Sequence, residues 1–453
     1  MKKLAYCLLG LLGISTLTSA ADLMEVYNQA LQSDPKFQSA YADYLATKEN
    51  VAISRAGLLP SISGQANLKG VRGSAITEGS SSVTNSYQYQ DYSITLNQPI
   101  FNFANWTKLK GASATAKQAQ ATYDAYAQDL MVRVSQAYFK VLEAEDNLRF
   151  TRAEKLATAK QLDQAKQRYK VGLDAITSVY DAQASYDVIV AQEIAAQNDL
   201  VNRREELREI TGVFHENLAS LKNQLPLVTP QPANAEAWVD TAKKQNFTLS
   251  AARFAVDAAK LNIKTNFAGH LPTLNATASY SENSQSKNNA FEGLRIDNSG
   301  SSVGLQLNVP LFTGGAVAAQ TRQAQYGYQK SLADLENTYR NTLDLTRQAY
   351  NSINAYISKI KADKQAIISN ESSLRSTEAA FKVGTRTIVD VLLAQKNLFY
   401  AQRSYASDQY QYINSILALK RAAGTLSPGD LQEINSWLKR DIAANNVRES
   451  ARR

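Results

Sequence analysis

Side chains able to do covalent, redox or metal chemistry are scarce in this sequence. It holds one Cys and two His in 453 residues. Cys7 lies in an apolar leader, and His215 and His270 stand far apart, one at a predicted helix end and one before a predicted strand. Each His reads as a satisfied boundary residue rather than a ligand. No nucleophile–base constellation, phosphate-binding glycine loop or metal-ligand spacing is present, so no enzyme, no cofactor and no resident metal is expected. What recurs instead is a charged helix turn. Val171-Gly172-Leu173-Asp174-Ala175-Ile176-Thr177-Ser178 and Val383-Gly384-Thr385-Arg386-Thr387-Ile388-Val389-Asp390 each stand where one helical pattern ends and another begins. A Gly just past a helix end supplies the left-handed conformation that stops it. The chemistry open to these segments is electrostatic: carboxylates and a guanidinium that can pair, repel or attract cations.

The elements that must position these turns come in two copies. Leu59-Pro60 recurs as Leu271-Pro272, an offset of 212 residues, and Tyr169-Lys170-Val171-Gly172 recurs as Phe381-Lys382-Val383-Gly384 at the same offset. Thr211-Gly212 matches Ala423-Gly424, and Asn97-Gln98-Pro99-Ile100-Phe101 matches Asn308-Val309-Pro310-Leu311-Phe312. One spacing across most of the chain means tandem duplication of a unit of about 210 residues. The repeats are assigned to 21–233 and 234–440, followed by a charged, disordered tail over 441–453.

Within a repeat the hydrophobic period changes twice. Helical spacing over 22–57, with Asp34-Pro35 as a helix start, gives way to alternation of Ile62, Gly64, Ala66 and Leu68 with polar neighbours. A Gly/Ser/Thr-rich loop over 70–87 follows, then alternation of Tyr92, Ile94 and Leu96. The second repeat does the same around a loop at 281–300. Each repeat therefore carries one hairpin, over 59–101 and 271–312, with strands about ten residues long. Tyrosines at 87–92 and Tyr280 suit an interfacial aromatic belt. Helical spacing then returns in heptad-like seams over 104–170 and 315–382, with return helices over 175–212 and 386–423. A helix over 104–170 is about 100 Å long at ~1.5 Å per residue. Segments 213–233 and 425–440 hold equivalent places after each helix pair, and Ser427-Pro428-Gly429-Asp430 reads as a capped helix start.

The compartment follows from residues 1–20. Lys2 and Lys3, an apolar run and Thr18-Ser19-Ala20 make a secretory signal with cleavage after Ala20. The formal charge of +8 falls by two when those lysines leave. Nucleic acid is a poor partner for an exported chain, and the excess charge reads as solvated surface. Strands that alternate apolar and polar faces fit membrane spans, yet four per chain cannot sit in lipid with open edges. A barrel must close between chains. Two chains would give a side-chain-filled barrel, and three would give twelve strands with room for a lumen. A periplasmic trimeric coiled-coil adaptor or structural protein would explain the helices but not the hairpins.

The chain resembles the outer membrane efflux proteins of the TolC type. The resemblance rests on Asp22-Leu23-Met24-Glu25-Val26-Tyr27, on Gly269-His270-Leu271-Pro272-Thr273-Leu274, and above all on Val383-Gly384-Thr385-Arg386-Thr387-Ile388-Val389-Asp390-Val391-Leu392. It implies a homotrimer with a twelve-stranded outer-membrane barrel and a long periplasmic coiled-coil tunnel. It implies an exit duct for multidrug efflux or type I protein secretion. The implied partners are a periplasmic adaptor and an inner-membrane RND, ABC or MFS pump.

The resemblance also assigns the turns. Val171, Gly172, Leu173, Val383, Gly384 and Thr385 would form the adaptor's docking point at the periplasmic entrance. Asp390 matches one of two carboxylate rings in relatives, where polyvalent cations can block; the other ring falls at the apolar Leu393. Asp181 could supply the missing ring if the repeats are pseudo-symmetric. Relatives hold the entrance closed by an Arg–Thr link, matching Arg386 and Thr177, and by an Asp–Tyr link, matching Ser178 and Phe381. The second link lacks both its groups here. Asp174 is expected either to compensate as a partner of Arg386 or to serve as a solvated N-cap on the next helix.

Overall fold

Asp34 and Asn246 end one helix and release the next in the two repeats of this computed structural model. The structure describes residues 20–75, 83–222, 224–287 and 294–439. Nearly all of the expected leader, with Lys2, Lys3 and Cys7, and the expected tail lie outside the described residues. The first repeat runs α1 (Leu23–Ser33), α2 (Pro35–Ala56), β1 (Ser61–Ala75), β2 (Val83–Phe101), α3 (Phe103–Lys170), α4 (Ile176–Thr211) and the short β3 (Ser220–Leu221). The second runs α5 (Ala235–Gln245), α6 (Phe247–Phe267), β4 (Thr273–Lys287), β5 (Leu294–Asn308), α7 (Ala316–Lys382), α8 (Ile388–Ala423), α9 (Pro428–Ser436) and β6 (Leu438–Lys439). At the first break the Asp34 N–H donates to Ala30 O at 2.9 Å, and Asp34 Oδ1 accepts the Lys36 N–H at 3.1 Å. Pro35 can then open α2 because a first-turn residue needs no N–H partner. The helical stretch over 22–57 is therefore two helices, the second starting at Pro35 as expected, with Asp34 also closing the first.

The strands are longer than the expected ten residues: 15, 19, 15 and 15 for β1, β2, β4 and β5. Pairing of β1 with β2 continues to Ala75↔Val83, and that of β4 with β5 to Lys287↔Leu294. Much of what reads as loop in 70–87 and 281–300 is strand. Ladder bonds come from the backbone, so Ser, Thr and Asn pair there without an apolar alternation to announce them.

The sheet order is β1-β2-β4-β5, with every pair antiparallel, so the two hairpins meet at β2 and β4. Register places Ile62, Leu96, Ala278 and Val303 in one row and Ser63, Thr95, Ser279 and Ser302 in the next, on the opposite face. Val303 is 88% and Ile62 71% exposed, so the apolar face is bare in a single chain. The polar face carries its own bonds, such as Ser279 Oγ to Ser302 Oγ at 2.8 Å. No described helix is long and apolar enough to cross a membrane.

The two sequence repeats are not the two packing units. One unit takes the described residues of Met1–Ala40, Asp124–Asn246 and Asn341–Arg453; the other takes Tyr41–Tyr123 and Phe247–Arg340. Each repeat thus contributes its middle to one unit and its ends to the other. The second unit holds the four-stranded sheet, the helices leading into it and the first parts of α3 and α7.

The first unit has a continuous apolar core. It joins Leu130, Val134, Tyr138 and Phe139 of α3, Leu200 and Leu207 of α4, Ile353 and Ile357 of α7, and Ile413 and Leu417 of α8. The segments after each helix pair pack on it. β3 pairs with β6, and the buried Tyr138 hydroxyl donates toward Ala219 O at 2.8 Å and Ala21 O at 3.2 Å. Ser427 and Asp430 form the expected capping box on α9, and Lys420 Nζ reaches Asp430 Oδ1 at 2.5 Å. Gly424 ends α8 at φ 78°, with the Gln245 carbonyl oxygen 2.3 Å from where a Cβ would lie, so only Gly fits.

Candidate functional site: the paired helix turns

Both long helices end the same way. Gly172 and Gly384 adopt φ 73° and 79°. Leu173 N–H donates to Arg168 O at 2.9 Å, and Thr385 N–H to Ala380 O at 3.0 Å, the six-to-one bond of a helix stopped by a left-handed Gly. Nothing stands within 4 Å of a Cβ at either Gly, so conformation alone selects it.

The two restarts differ. At the α7–α8 turn, Thr387 and Asp390 form a capping box. Thr387 Oγ1 accepts the Asp390 N–H at 3.3 Å, and Asp390 Oδ2 accepts the Thr387 N–H at 2.8 Å. That backbone bond, with help from the Thr387 hydroxyl, holds the Asp390 carboxyl below its ordinary range. Arg386 Nη1 lies 3.7 Å from Asp390 Oδ1. At the α3–α4 turn the N-cap is Ala175, which has no capping side chain. Closure there comes from Arg168, whose Nε donates to Asp174 Oδ2 at 2.8 Å and whose Nη2 donates to Asp174 Oδ1 at 3.4 Å. The bond to Asp174 raises the Arg168 pKa.

Both expectations for Asp174 are corrected by this geometry. Its partner within the chain is Arg168, six residues back, and not Arg386, which stands in the turn before α8 and faces Asp390 in that helix's first turn. It is not an N-cap either, since that position belongs to Ala175.

The two turns meet through a small apolar cluster of Leu162, Ala165 and Ala182 with Phe381, Ile388 and Val391. Phe381 is buried in it, and the Arg168 guanidinium carbon lies 4.8 Å from the centre of its ring. Arg168 is the residue that sequence reasoning missed. Its only signal was a basic side chain in the last turn of a helix, with Asp174 just beyond the stop.

The remaining candidates are spread around these turns. Val171, Leu173 and Val383 are exposed apolar side chains at the tips, beside the exposed Thr385. Thr177 is exposed and Ser178 half-buried in the first turn of α4. Asp181 and Leu393 are exposed one turn further along α4 and α8. His215 is buried, and that burial lowers its pKa. His270 lies edge-on to Phe267 at 5.7 Å. No group of three or more His, Cys, Asp or Glu among the described residues is placed to hold a metal ion.

The family model for "Outer membrane efflux protein" matches residues 26–213 and again 238–425. The chain belongs to the outer membrane efflux protein family. The two matches begin 212 residues apart, the same offset as the internal repeat. The chain is 40% identical over 429 residues to the outer membrane protein TolC of Vibrio cholerae, covering 94% of this chain and 96% of that one. It is 30% identical to the alkaline protease secretion protein AprF of Pseudomonas aeruginosa, over 91% of this chain and 86% of that one. The fold matches the Campylobacter jejuni CmeC outer membrane channel with a TM-score of 0.76 at 15% identity, covering 92% of this chain and 90% of that one. This family of channel proteins resides in the outer membrane, and the chain is an outer-membrane exit duct of the efflux and type I secretion kind.

Proposed function

We propose that three copies close their sheets into one twelve-stranded barrel, and that the helices continue it as a periplasmic tunnel ending at the paired turns. The observation that carries this reading is the sheet itself. It has one bare apolar face, and its outer strands β1 and β5 each pair on one side only. In lipid such edges must be paired, and pairing with neighbouring copies satisfies them without a further element.

In this reading the exposed tips Val171, Gly172, Leu173, Val383, Gly384 and Thr385 receive a periplasmic adaptor, which links the duct to an inner-membrane pump of the RND, ABC or MFS type. Threefold symmetry turns Asp390 into a ring of three carboxylates able to bind polyvalent cations. One of its oxygens already accepts from the Thr387 cap, and the aligned second ring is Leu393, so such a site would be weak. Asp181, exposed at the height of Leu393 in the repeat, is the candidate for a replacement ring. A link from Arg386 to Thr177 would hold the two turn regions together in the closed entrance. Ser178 and Phe381 cannot supply the Asp–Tyr link of relatives.

Single-channel recording in planar bilayers tests this. Purified trimers should show a small, cation-selective conductance. A trivalent cation added on the periplasmic side should reduce it in the wild type and not in Asp390→Ala. A verified trimer that forms no channel would sink the conduit. A conductance and block indifferent to Asp390 would sink the carboxylate ring and move the constriction to Leu393 or Asp181.

A further inference from the structure

We infer that Arg168 is the link that holds the two turns of one subunit together, in place of a carboxylate–tyrosine bond. This deepens the gate reading above and rests on it. The guanidinium is engaged on two sides by two different hairpins. Its edge is forked onto Asp174 of the α3–α4 turn, at 2.8 and 3.4 Å. Its central carbon lies over the ring of Phe381, at the end of α7, 4.8 Å from the ring centre. A guanidinium is suited to both tasks at once, because in-plane donors leave its faces free for a π surface.

The residue is also held at its root. Its carbonyl accepts the Leu173 N–H that stops α3, so its backbone is part of the turn that it closes. Beneath it the apolar cluster of Leu162, Ala165 and Ala182 against Phe381, Ile388 and Val391 keeps the ring in place. The competing cation, Arg386, has its own carboxylate in Asp390. The absent tyrosine hydroxyl is then no defect. At position 381 the structure uses the face of the ring, and Phe provides it while burying no polar atom.

The link is single and directional. The repeat counterpart of Arg168 is Ala380, and that of the buried Phe381 is the exposed Tyr169. Each chain therefore has one such clasp, from the first hairpin to the second. Moving the α7–α8 turn away from the α3–α4 turn must strip Arg168 from the face of Phe381.

The test compares mean conductance of the full-length protein in planar bilayers, with trimer integrity followed by heat-modifiable migration. Arg168→Ala should raise mean conductance roughly tenfold, the scale set by losing a partly shielded ion pair together with a cation–π contact. Arg168→Lys keeps the charge but not the plane, and Phe381→Leu keeps the apolar volume but not the π face; each should fall between wild type and Arg168→Ala. Because both remove one link, the double variant Arg168→Ala/Phe381→Leu should open no further than Arg168→Ala alone. Intact Arg168→Lys and Phe381→Leu trimers that conduct like wild type would overturn the clasp, even if Arg168→Ala did not assemble. Fully additive effects in the double variant would overturn it too. Absence of any conductance from intact wild-type trimers would instead remove the conduit on which the clasp depends.

Discussion

The α3–α4 and α7–α8 turns are copies of one ancestral segment, and they are closed by different chemistry. Both keep the left-handed Gly, at 172 and 384. After it, Thr387 and Asp390 cap α8 locally, whereas Ala175 and Ser178 occupy the same places at the start of α4 and leave it without a capping side chain. Ile388 is 1% exposed while its counterpart Ile176 is 38% exposed. One turn is thus self-contained and anchored in the apolar cluster. The other depends on Arg168, which also touches its neighbour. A duplicated fold can keep its backbone and still divide the work, with one copy supplying rigidity and the other supplying the breakable contact.

Four measurements would break or sharpen that contrast. The largest difference should come from Ile388→Ala against Ile176→Ala. Deleting a buried Ile costs about 2–5 kcal/mol, while an exposed position costs about 0.5 kcal/mol or less. Amide hydrogen exchange of the turn peptides in intact trimers should show strong deprotection for the first and little for the second. Equal effects would mean that the two turns share one core environment.

Next come the glycines, where the copies should agree. Gly172→Ala and Gly384→Ala should each cost about 1–2 kcal/mol for forcing a Cβ into the left-handed region. The same exchange measurement should give matching losses, and a marked inequality would show that one Gly does more than stop its helix.

The caps should separate the turns again. Thr387→Ala should cost about 1 kcal/mol, and the transplant Ala175→Thr with Ser178→Asp should stabilise the start of α4 by up to about that amount. A transplant without effect would mean that Arg168 and Asp174 already satisfy that end.

The smallest effect is acid sensitivity. The folded-state pKa of Asp390 is depressed, so its cap is fully present above the ordinary carboxylate range and is lost as pH falls through the lowered value. Exchange at the start of α8 should therefore rise with acidification below the carboxylate range, and Asp390→Asn should abolish that dependence. Persistence of the pH dependence in Asp390→Asn would assign it to another group.

Much of this was legible before any coordinates. Landmarks such as Leu59-Pro60 and Tyr169-Lys170-Val171-Gly172 revealed the duplication, and their residue types placed the strand entries and helix stops. The strands run longer than their apolar alternation because their outer halves are Ser-, Thr- and Asn-rich, and backbone pairing leaves no period in such residues. The Thr387–Asp390 box is readable as a Thr followed three residues later by an acid, and the same carboxylate also reads as a lumen charge, two roles that sequence alone does not separate. Arg168 was not readable in this way. Its ring partner Phe381 lies more than two hundred residues away, and the repeat gives no hint because Ala380 stands in its place. The pairing of Asp174 differs from expectation for the converse reason: the cation that reaches it lies on its own side of the turn.

Among the described residues, the start of the chain is tied to a segment near its end. The Leu23 N–H donates to Asn435 Oδ1 at 3.0 Å, and the Ala21 N–H donates to Asn217 O at 3.1 Å. A polypeptide delivered across a membrane from its N-terminus cannot complete the first of these bonds until some four hundred further residues have emerged, which makes it a contact of very large sequence separation. Its closure is a late event that reports completeness. A prematurely terminated product lacking Asn435 would leave α1 without its anchor, and it would reach the periplasm as a substrate for proteolysis rather than as a subunit able to join an assembly.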